Sequence, residues 1–194
     1  MINNSKYHLA EGEILSEQRA IEDAKSNPAR FEVLYNRYYE PILQFVYKRV
    51  EGKEAAYDIT SQVFLNAMTN IKGYKFMGMP FSSWLYRIAV NEINQMFRSD
   101  KVRRAVKVDE DELKYVMDEL KTAEETESRY QMISEALGEL DEEELQLVEL
   151  RFFEQRAFKE IGEILNITEN NSKVKLYRII DKIKKTLTLS KKSA

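Results

Sequence analysis

Apolar residues recur every three or four positions along most of this chain of 194 residues, which is the spacing that places them on one face of a helix. The clearest series advances by four residues at each step: Ala55, Ile59, Val63, Ala67 and Ile71. Only six glycines and three prolines interrupt the chain, so few positions favour a turn. The spacing therefore predicts an all-α fold.

Composition excludes several classes of function. The absence of cysteine rules out disulfides, thiol nucleophiles and thiolate metal sites, and the single histidine, His8, lies in a polar segment where we expect it to be solvated. The chain has no phosphate-binding loop, no hydrolase nucleophile elbow and no HExxH zinc motif. We therefore expect a protein that is not an enzyme, with no catalytic residues, no metal site and no cofactor.

Neither a signal peptide nor a membrane span is expected. No apolar run approaches the roughly 20 residues that cross a bilayer, and the first residues lack a basic segment followed by an apolar one. The expected location is the cytoplasm.

Charge is distributed in three blocks that the net charge of −3 conceals. Residues 98–107 contain five basic residues and one acid, residues 108–130 contain nine acids and three basic residues, and residues 170–194 contain eight basic residues and one acid. Two basic segments predict two nucleic-acid-binding surfaces. The acidic segment between them predicts a solvated linker or a partly helical tether, and an alternative is that it keeps the two basic surfaces off each other or off non-specific DNA.

These patterns predict two small helical domains joined by the acidic segment. The expected divisions are a leader (1–21), an N-terminal helical bundle (22–107), the acidic linker (108–130), a helix-turn-helix domain (131–187) and a basic tail (188–194). In the bundle, Ala56, Phe64 and Met68 are expected to widen the buried edge of the Ala55–Ile71 helix. Pro41 is expected to begin a helix, where its missing N–H costs little.

A loop with aromatic residues is predicted before the last helix of the bundle. Residues 72–80, KGYKFMGMP, break the periodicity with two glycines and a proline, and helical spacing resumes from Phe81 to Met96. Aromatic residues flank this boundary: Tyr74, Phe76, Phe81 and Trp84. Aromatic faces near cations are what single-stranded DNA binding requires, because unpaired bases stack on them. Core packing is the alternative for Trp84.

The C-terminal domain carries the spacing of a helix-turn-helix. Asp141 is expected to cap a helix from Glu142 to Phe153, and a short helix then ends at Leu165. Gly162 allows two helices to cross closely, Ile167 fills the turn, and Thr168 is expected to cap the last helix.

The last helix has two unlike faces. Its inward residues are expected to be Ser172, Leu176, Ile179 and Ile183, and its outward residues Asn171, Val174, Lys175, Arg178 and Lys182. A cationic and polar face suits the phosphates and base edges of a major groove. The preceding helix only supports it, so the acids Glu160 and Glu163 are expected to be exposed. An ordinary amphipathic helix is the alternative.

Three N-terminal motifs resemble region 2 of the extracytoplasmic-function (ECF) group of bacterial sigma-70-family sigma factors. They are Phe31-Glu-x-Leu34-Tyr35-x-x-Tyr38-Tyr39-x-Pro41, Ala56-x-Asp58-Ile59-x-x-x-Val63-Phe64 and Trp84-Leu85-Tyr86-Arg87-Ile88-Ala89-x-Asn91. Residues 137–185 resemble region 4 of the same group, and the acidic segment falls where that group has its linker. The sequence departs from the usual pattern at Ser61, Gln95, Ser172 and Val174, which bears on base preference. Val174 could contact a thymine methyl.

The resemblance implies a transcription initiation factor that binds core RNA polymerase and promoter DNA and that is held inactive by an anti-sigma factor. The implied polymerase-binding residues are Asp58, Val63 and Phe64. The implied residues at the melted minus-ten element are Tyr74, Phe76, Phe81, Trp84, Arg87, Asn91 and Arg98. The implied residues at the duplex minus-thirty-five element are Asn171, Lys173, Val174, Lys175 and Arg178.

Two other classes of function compete with this interpretation. An independent helix-turn-helix repressor or activator would not explain the aromatic loop and the first basic segment. A helical interaction protein without a DNA role would explain neither basic segment.

Overall fold

The computed structural model describes residues 11–76, 78–99, 107–120 and 127–193, and within these ranges the chain is helical without a β-strand. The all-α prediction is confirmed. The helices are α1 (Glu11–Ser26), α2 (Glu32–Tyr47), α3 (Lys53–Asn70), α4 (Phe81–Arg98), α5 (Glu110–Leu120), α6 (Glu127–Gly138), α7 (Glu142–Val148), α8 (Phe158–Leu165) and α9 (Glu169–Ser193). They form two compact units. One contains α1–α4, and the other contains α5, α6, α7, α9 and most of α8.

Several predictions fall wholly or partly outside the described residues. They are the solvation of His8, residues 1–10 of the leader, residue 77 of the loop, the middle of the first basic segment with its cations Lys101, Arg103 and Arg104, residues 121–126 of the acidic segment, and the side chains of the basic tail from residue 189 onward.

The core of the N-terminal unit lies between α2, α3 and α4. Ile59, Val63 and Ala67 are buried along α3, as their four-residue spacing predicts. Met68 is 40% exposed, so the expectation that it widens this buried edge is wrong. Helix α1 packs on α2 and on a 3-10 turn at Pro28–Phe31. It includes residues 11–21 of the segment assigned to a leader.

Pro41 lies inside α2 rather than at its start, so that expectation is also wrong. Proline in a helix interior removes one backbone hydrogen bond and usually bends or ends the helix. Helix α2 nevertheless continues to Tyr47, because Ile42, Phe45 and Val46 beyond the proline are fully buried in the core. Tertiary packing outweighs the local cost.

The acidic segment contributes a helix to the C-terminal unit. Helix α5 buries Leu113, Val116, Met117 and Leu120 on one face and contacts α6, α9 and a π-helical turn at Glu149–Phe153. Helix α5 is therefore rich in acidic residues and also packs into the C-terminal unit through an apolar face. The domain limits drawn from the sequence stay predictions.

Candidate polymerase and DNA interfaces

The turn between α8 and α9 is held at close range around Gly162. A Cβ atom added to Gly162 would lie 2.7 Å from the carbonyl oxygen of Ile167, closer than real Cβ contacts allow. The Ile167 N–H donates to the Gly162 carbonyl at 2.9 Å, and Asn166 adopts a left-handed conformation with φ of 55°. The predicted close crossing at Gly162 is confirmed.

Hydrogen bonds to side chains set the start of α9. The Thr168 hydroxyl accepts from the Asn171 N–H at 3.1 Å, which confirms the predicted N-cap. Ser172, which departs from the family's usual apolar residue, is buried, and its hydroxyl lies within hydrogen-bond distance of the carbonyls of Glu169 at 2.7 Å and Phe158 at 3.2 Å. The contact with Phe158 ties α9 to the first residue of α8.

The helix that was predicted from Glu142 to Phe153 begins as predicted but ends earlier. Asp141 and Glu144 form the reciprocal capping box at the start of α7, which confirms Asp141 as the cap. The helix changes to a π-helical turn at Glu149–Phe153 instead of continuing as α-helix.

Glu160 does not lie on the exposed surface where the sequence predicted it. It is 5% exposed, lies 3.3 Å from Arg156 Nη1 and accepts from the Ala157 N–H at 3.0 Å. It therefore caps α8 and neutralises a buried arginine instead of facing solvent, and its expected exposure is wrong.

The two faces of α9 divide as predicted. Ser172, Leu176, Ile179 and Ile183 are buried, together with Ile180 and Leu187. On the outer face Asn171, Val174 and Arg178 are exposed, and Lys173 and Lys175 are partly exposed. Tyr177 is also 57% exposed between Val174 and Arg178, although the sequence analysis did not select it. The signal was available, because Tyr177 lies three residues after Val174 and so falls on the same face of the helix.

Acidic side chains of the same unit pair with the cations of α9. Lys175 Nζ lies 3.2 Å from Glu143 and Lys182 Nζ lies 2.5 Å from Glu144, both at the start of α7. The hydrogen bond to Glu144 is the main cause that raises the pKa of Lys182. Sequence reasoning missed these pairs because the partners are 32 and 38 residues apart. The cationic face is thus partly neutralised in the free protein.

The N-terminal unit presents an aromatic cluster where the loop meets α4. The ring of Tyr74 lies 4.9 Å from Trp84 and 5.2 Å from Phe81, and Phe81 lies 5.3 Å from Trp84, measured between ring centroids. Tyr74, Trp84 and the nearby Phe76 are partly exposed, whereas Phe81 is 0% exposed. Burial makes Phe81 the support of the other two rings rather than a surface for a base.

One face of α4 continues from this cluster. Arg87, Asn91 and Arg98 follow Trp84 at intervals of three, four and seven residues, which keeps them on one side of the helix. Asn91 and Arg98 are exposed and Arg87 is partly exposed. The buried carboxylate of Glu92 accepts a hydrogen bond from Asn66 of α3 at 2.6 Å, which joins α4 to α3.

The three predicted polymerase-binding residues separate into surface and core. Asp58 is exposed on α3, whereas Val63 and Phe64 are buried. The ring of Phe64 lies 4.9 Å from Tyr35 and 5.9 Å from Tyr39 of α2, so it supports these tyrosines from below.

Large apolar side chains are exposed on α2 and α3, and none of them was predicted as a site residue. They are Val33 and Tyr35 on α2 and Tyr57, Leu65 and Met68 on α3. Tyr35 lies against the buried Phe64, and Tyr57 and Leu65 lie on the same helix as Asp58. Exposed apolar groups near a charge are typical of a protein-binding surface. We call Tyr35, Tyr57, Leu65 and Asp58 the α2–α3 surface.

Two negative findings apply to the described ranges alone. No described helix is long and apolar enough to cross a membrane. No cluster of three or more potential metal ligands occurs there either.

A helix-turn-helix with a cationic outer face, in a chain whose second helical unit has an aromatic and polar face, is typical of a DNA-binding transcription factor. Comparison with known families is more specific, since residues 34–103 match Sigma-70 region 2 and residues 130–183 match Sigma-70, region 4. The chain belongs to the sigma-70 family, within its ECF group.

Curated relatives agree with this assignment. The chain is 28% identical to the ECF RNA polymerase sigma factor BldN of Streptomyces coelicolor over 82% of its own length and 61% of that protein. It is 24% identical to RNA polymerase sigma factor YlaC of Bacillus subtilis, over 82% of this chain and 93% of that protein. It is 26% identical to ECF RNA polymerase sigma factor SigW of B. subtilis, over 90% of this chain and 98% of that protein.

A solved structure shows the same fold. CnrH, in complex with the cytosolic domain of CnrY, superposes with a TM-score of 0.60 at 17% sequence identity, over 89% of this chain and 97% of CnrH.

Proposed function

We propose that this protein recruits core RNA polymerase to promoters by contacting the duplex minus-thirty-five element with α9 and the melted minus-ten element with the loop and α4. The observation that carries the proposal is that two separate units present two surfaces of different chemistry. One is cationic and polar, which suits duplex DNA, and the other is aromatic and polar, which suits unpaired bases.

The outer face of α9 supports upstream recognition. Asn171, Val174 and Arg178 are exposed on one side of a helix that follows a closely packed turn. Arginine and asparagine form paired hydrogen bonds with base edges, and valine can contact a thymine methyl. Lys173 and Lys175 would contact phosphates, which provide affinity and register without sequence information.

The aromatic cluster supports strand separation. A base that leaves the duplex loses its stacking partners, and an aromatic face recovers about 1–3 kcal/mol per base. Tyr74, Phe76 and Trp84 offer partly exposed rings, and Asn91 and Arg98 offer polar and cationic groups on the adjoining helix face. Polymerase would carry out RNA synthesis, and this protein would supply placement and melting without a catalytic residue or cofactor of its own.

The α2–α3 surface is the proposed contact with polymerase. It combines the exposed Asp58 carboxylate with exposed apolar groups above the buried Phe64. We also propose an anti-sigma factor as a second protein partner, which membership of the ECF group supports. Action on RNA polymerase would place the protein in the cytoplasm.

Run-off transcription from a promoter library tests the proposal. We expect specific transcripts only when core polymerase and this protein are both present. The isolated protein should bind duplex promoters weakly, because neither unit alone provides a complete footprint. Tight, sequence-specific duplex binding without polymerase, together with no polymerase-dependent transcript, would instead show a repressor or activator.

A further inference from the structure

Glu17 is a buried carboxylate that joins three helices of the N-terminal unit. Its side chain on α1 is 0% exposed. It accepts a hydrogen bond from the Tyr38 hydroxyl of α2, and its other oxygen accepts from the backbone N–H of Phe81 at 2.8 Å. Arg37 Nη1 lies 3.9 Å away. A buried carboxylate is costly unless it is paired in this way, so these contacts tie α1 and α2 to the first residue of α4.

The first residue of α4 has a particular need for such a partner. The N–H groups at the start of a helix have no acceptor within the helix, and Pro80, which precedes Phe81, provides no side-chain cap. The carboxylate of Glu17 satisfies the Phe81 N–H and lies at the positive end of the α4 dipole. Glu17 therefore takes the place of a side-chain cap at the start of α4.

The contact reaches the aromatic cluster through a single residue. The backbone of Phe81 is bound by Glu17, and its buried ring supports Tyr74 and Trp84 at 5.2 and 5.3 Å. Burial is the main cause that raises the pKa of Tyr74, and the negative charge of Glu17 is the next. A shift at Phe81 would displace both partly exposed rings.

We propose that Glu17 is a positioning residue for promoter opening, which holds the start of α4 so that Tyr74 and Trp84 present a fixed surface to an unpaired base. The inference rests on the proposed function. Because Glu17 is buried, it acts through Phe81 rather than on DNA, and it reduces the ordering that must accompany strand separation.

The test compares Glu17→Gln with Glu22→Gln, which makes the same chemical change at an exposed position of α1. Holoenzymes would be assembled on core polymerase at matched occupancy. Opening would be followed with a fluorescent adenine analogue in the minus-ten element, on a duplex promoter and on one with a pre-opened bubble. We expect Glu17→Gln to open the duplex roughly tenfold more slowly, as for the loss of one charged hydrogen bond. Glu22→Gln should match the wild type.

Two readouts separate positioning from a general loss of structure. The pre-opened bubble should restore transcription by Glu17→Gln to the wild-type level, and Glu17→Asp, which keeps the charge, should recover part of the opening rate. A merely structural role would reduce polymerase binding and would lower transcription from both templates by the same factor. Wild-type opening by Glu17→Gln, or an equal defect on both templates, would overturn the inference.

Tyr38→Phe decides the case if Glu17→Gln does not fold. It removes the hydroxyl that holds one oxygen of Glu17, so the carboxylate is no longer fixed in the orientation that meets the Phe81 N–H. Slower duplex opening that the bubble restores supports the inference, and wild-type opening overturns it. Absence of polymerase-dependent transcription by the wild-type protein would refute the proposed function itself, which is a distinct result from any difference between the variants.

Discussion

The two candidate DNA surfaces are built in opposite ways. On α9 the outward side chains project from a helix whose orientation is set by a short turn, and Gly162, Thr168 and Ser172 set that turn within a few residues of the surface. On α4 the partly exposed rings rest on the buried Phe81, which is itself fixed by Glu17, 64 residues earlier in the chain. The geometry of the first surface is therefore sensitive to substitutions close to it in the sequence. The geometry of the second surface is sensitive to substitutions elsewhere in its unit.

The largest effect should come from the aromatic framework of the N-terminal unit. Phe64→Ala removes a buried ring that contacts Phe31, Tyr35 and Tyr39, and we expect it to lower the free energy of unfolding of this unit by about 3–5 kcal/mol. Asp58→Arg changes an exposed group on the same helix and should leave the stability almost unchanged while weakening polymerase binding. Denaturant unfolding and competition for core enzyme measure the two effects.

If Phe64 contacted polymerase directly and contributed little to the core, Phe64→Ala would keep normal stability and lose polymerase binding. An unchanged affinity of folded Asp58→Arg for core enzyme would remove the α2–α3 surface from the proposal.

A smaller loss of stability is expected at the turn of the C-terminal unit. Gly162→Ala places a Cβ against the Ile167 carbonyl, and overpacking of this kind costs about 1–3 kcal/mol. Gly138→Ala is the control, since a Cβ there meets no atom within 4 Å. Thermal unfolding of both variants, followed by binding to minus-thirty-five duplex as holoenzyme, checks the prediction. Equal behaviour of the two would show that the turn can relax.

A comparable effect, measured on binding rather than stability, separates the two DNA surfaces. Arg178→Ala should weaken holoenzyme binding to the upstream element by about 1–3 kcal/mol if the side chain contacts a base edge, and a pre-opened bubble should not restore it when recruitment depends on that element. Asn91→Ala or Phe76→Ala should retain upstream contact and open DNA slowly. The pre-opened bubble should restore the activity of both variants. Rescue of both classes, or of neither, would contradict the division between α9 and α4.

The smallest effect is expected from the acids that pair with α9. Glu143→Gln releases Lys175 from a largely exposed ion pair, so holoenzyme affinity for upstream DNA should rise by about two- to fivefold at low salt, and less at high salt. Glu135→Gln makes the same charge change at an exposed residue of α6 that hydrogen-bonds Gln131, and controls for overall charge. Equal gains in both variants would show a general charge effect without release of Lys175.

The division between local and distant support also explains which predictions succeeded. The helix caps at Asp141 and Thr168, the close crossing at Gly162 and the buried face of α9 all depend on residues within about one or two helical turns of each other. The predictions about Pro41, Met68 and Glu160 were wrong. Pro41 lies in a helix that core packing on either side of it stabilises, Met68 is left exposed by the fold, and Glu160 pairs with a buried arginine.

The sequence by itself determined the all-α class, the helix-turn-helix and the outward face of α9, because helical periodicity and capping are set by neighbours in the chain. Helical spacing had already placed Val63 and Phe64 on the buried edge of α3. The tertiary structure alone decided that Phe81 is a buried support, because its ring resembles the partly exposed Tyr74 and Trp84 in the sequence and only packing buries it. It also decided the contacts of Glu17 and the pairing of Lys175 with Glu143, since a charge finds such partners only when folding brings distant segments together.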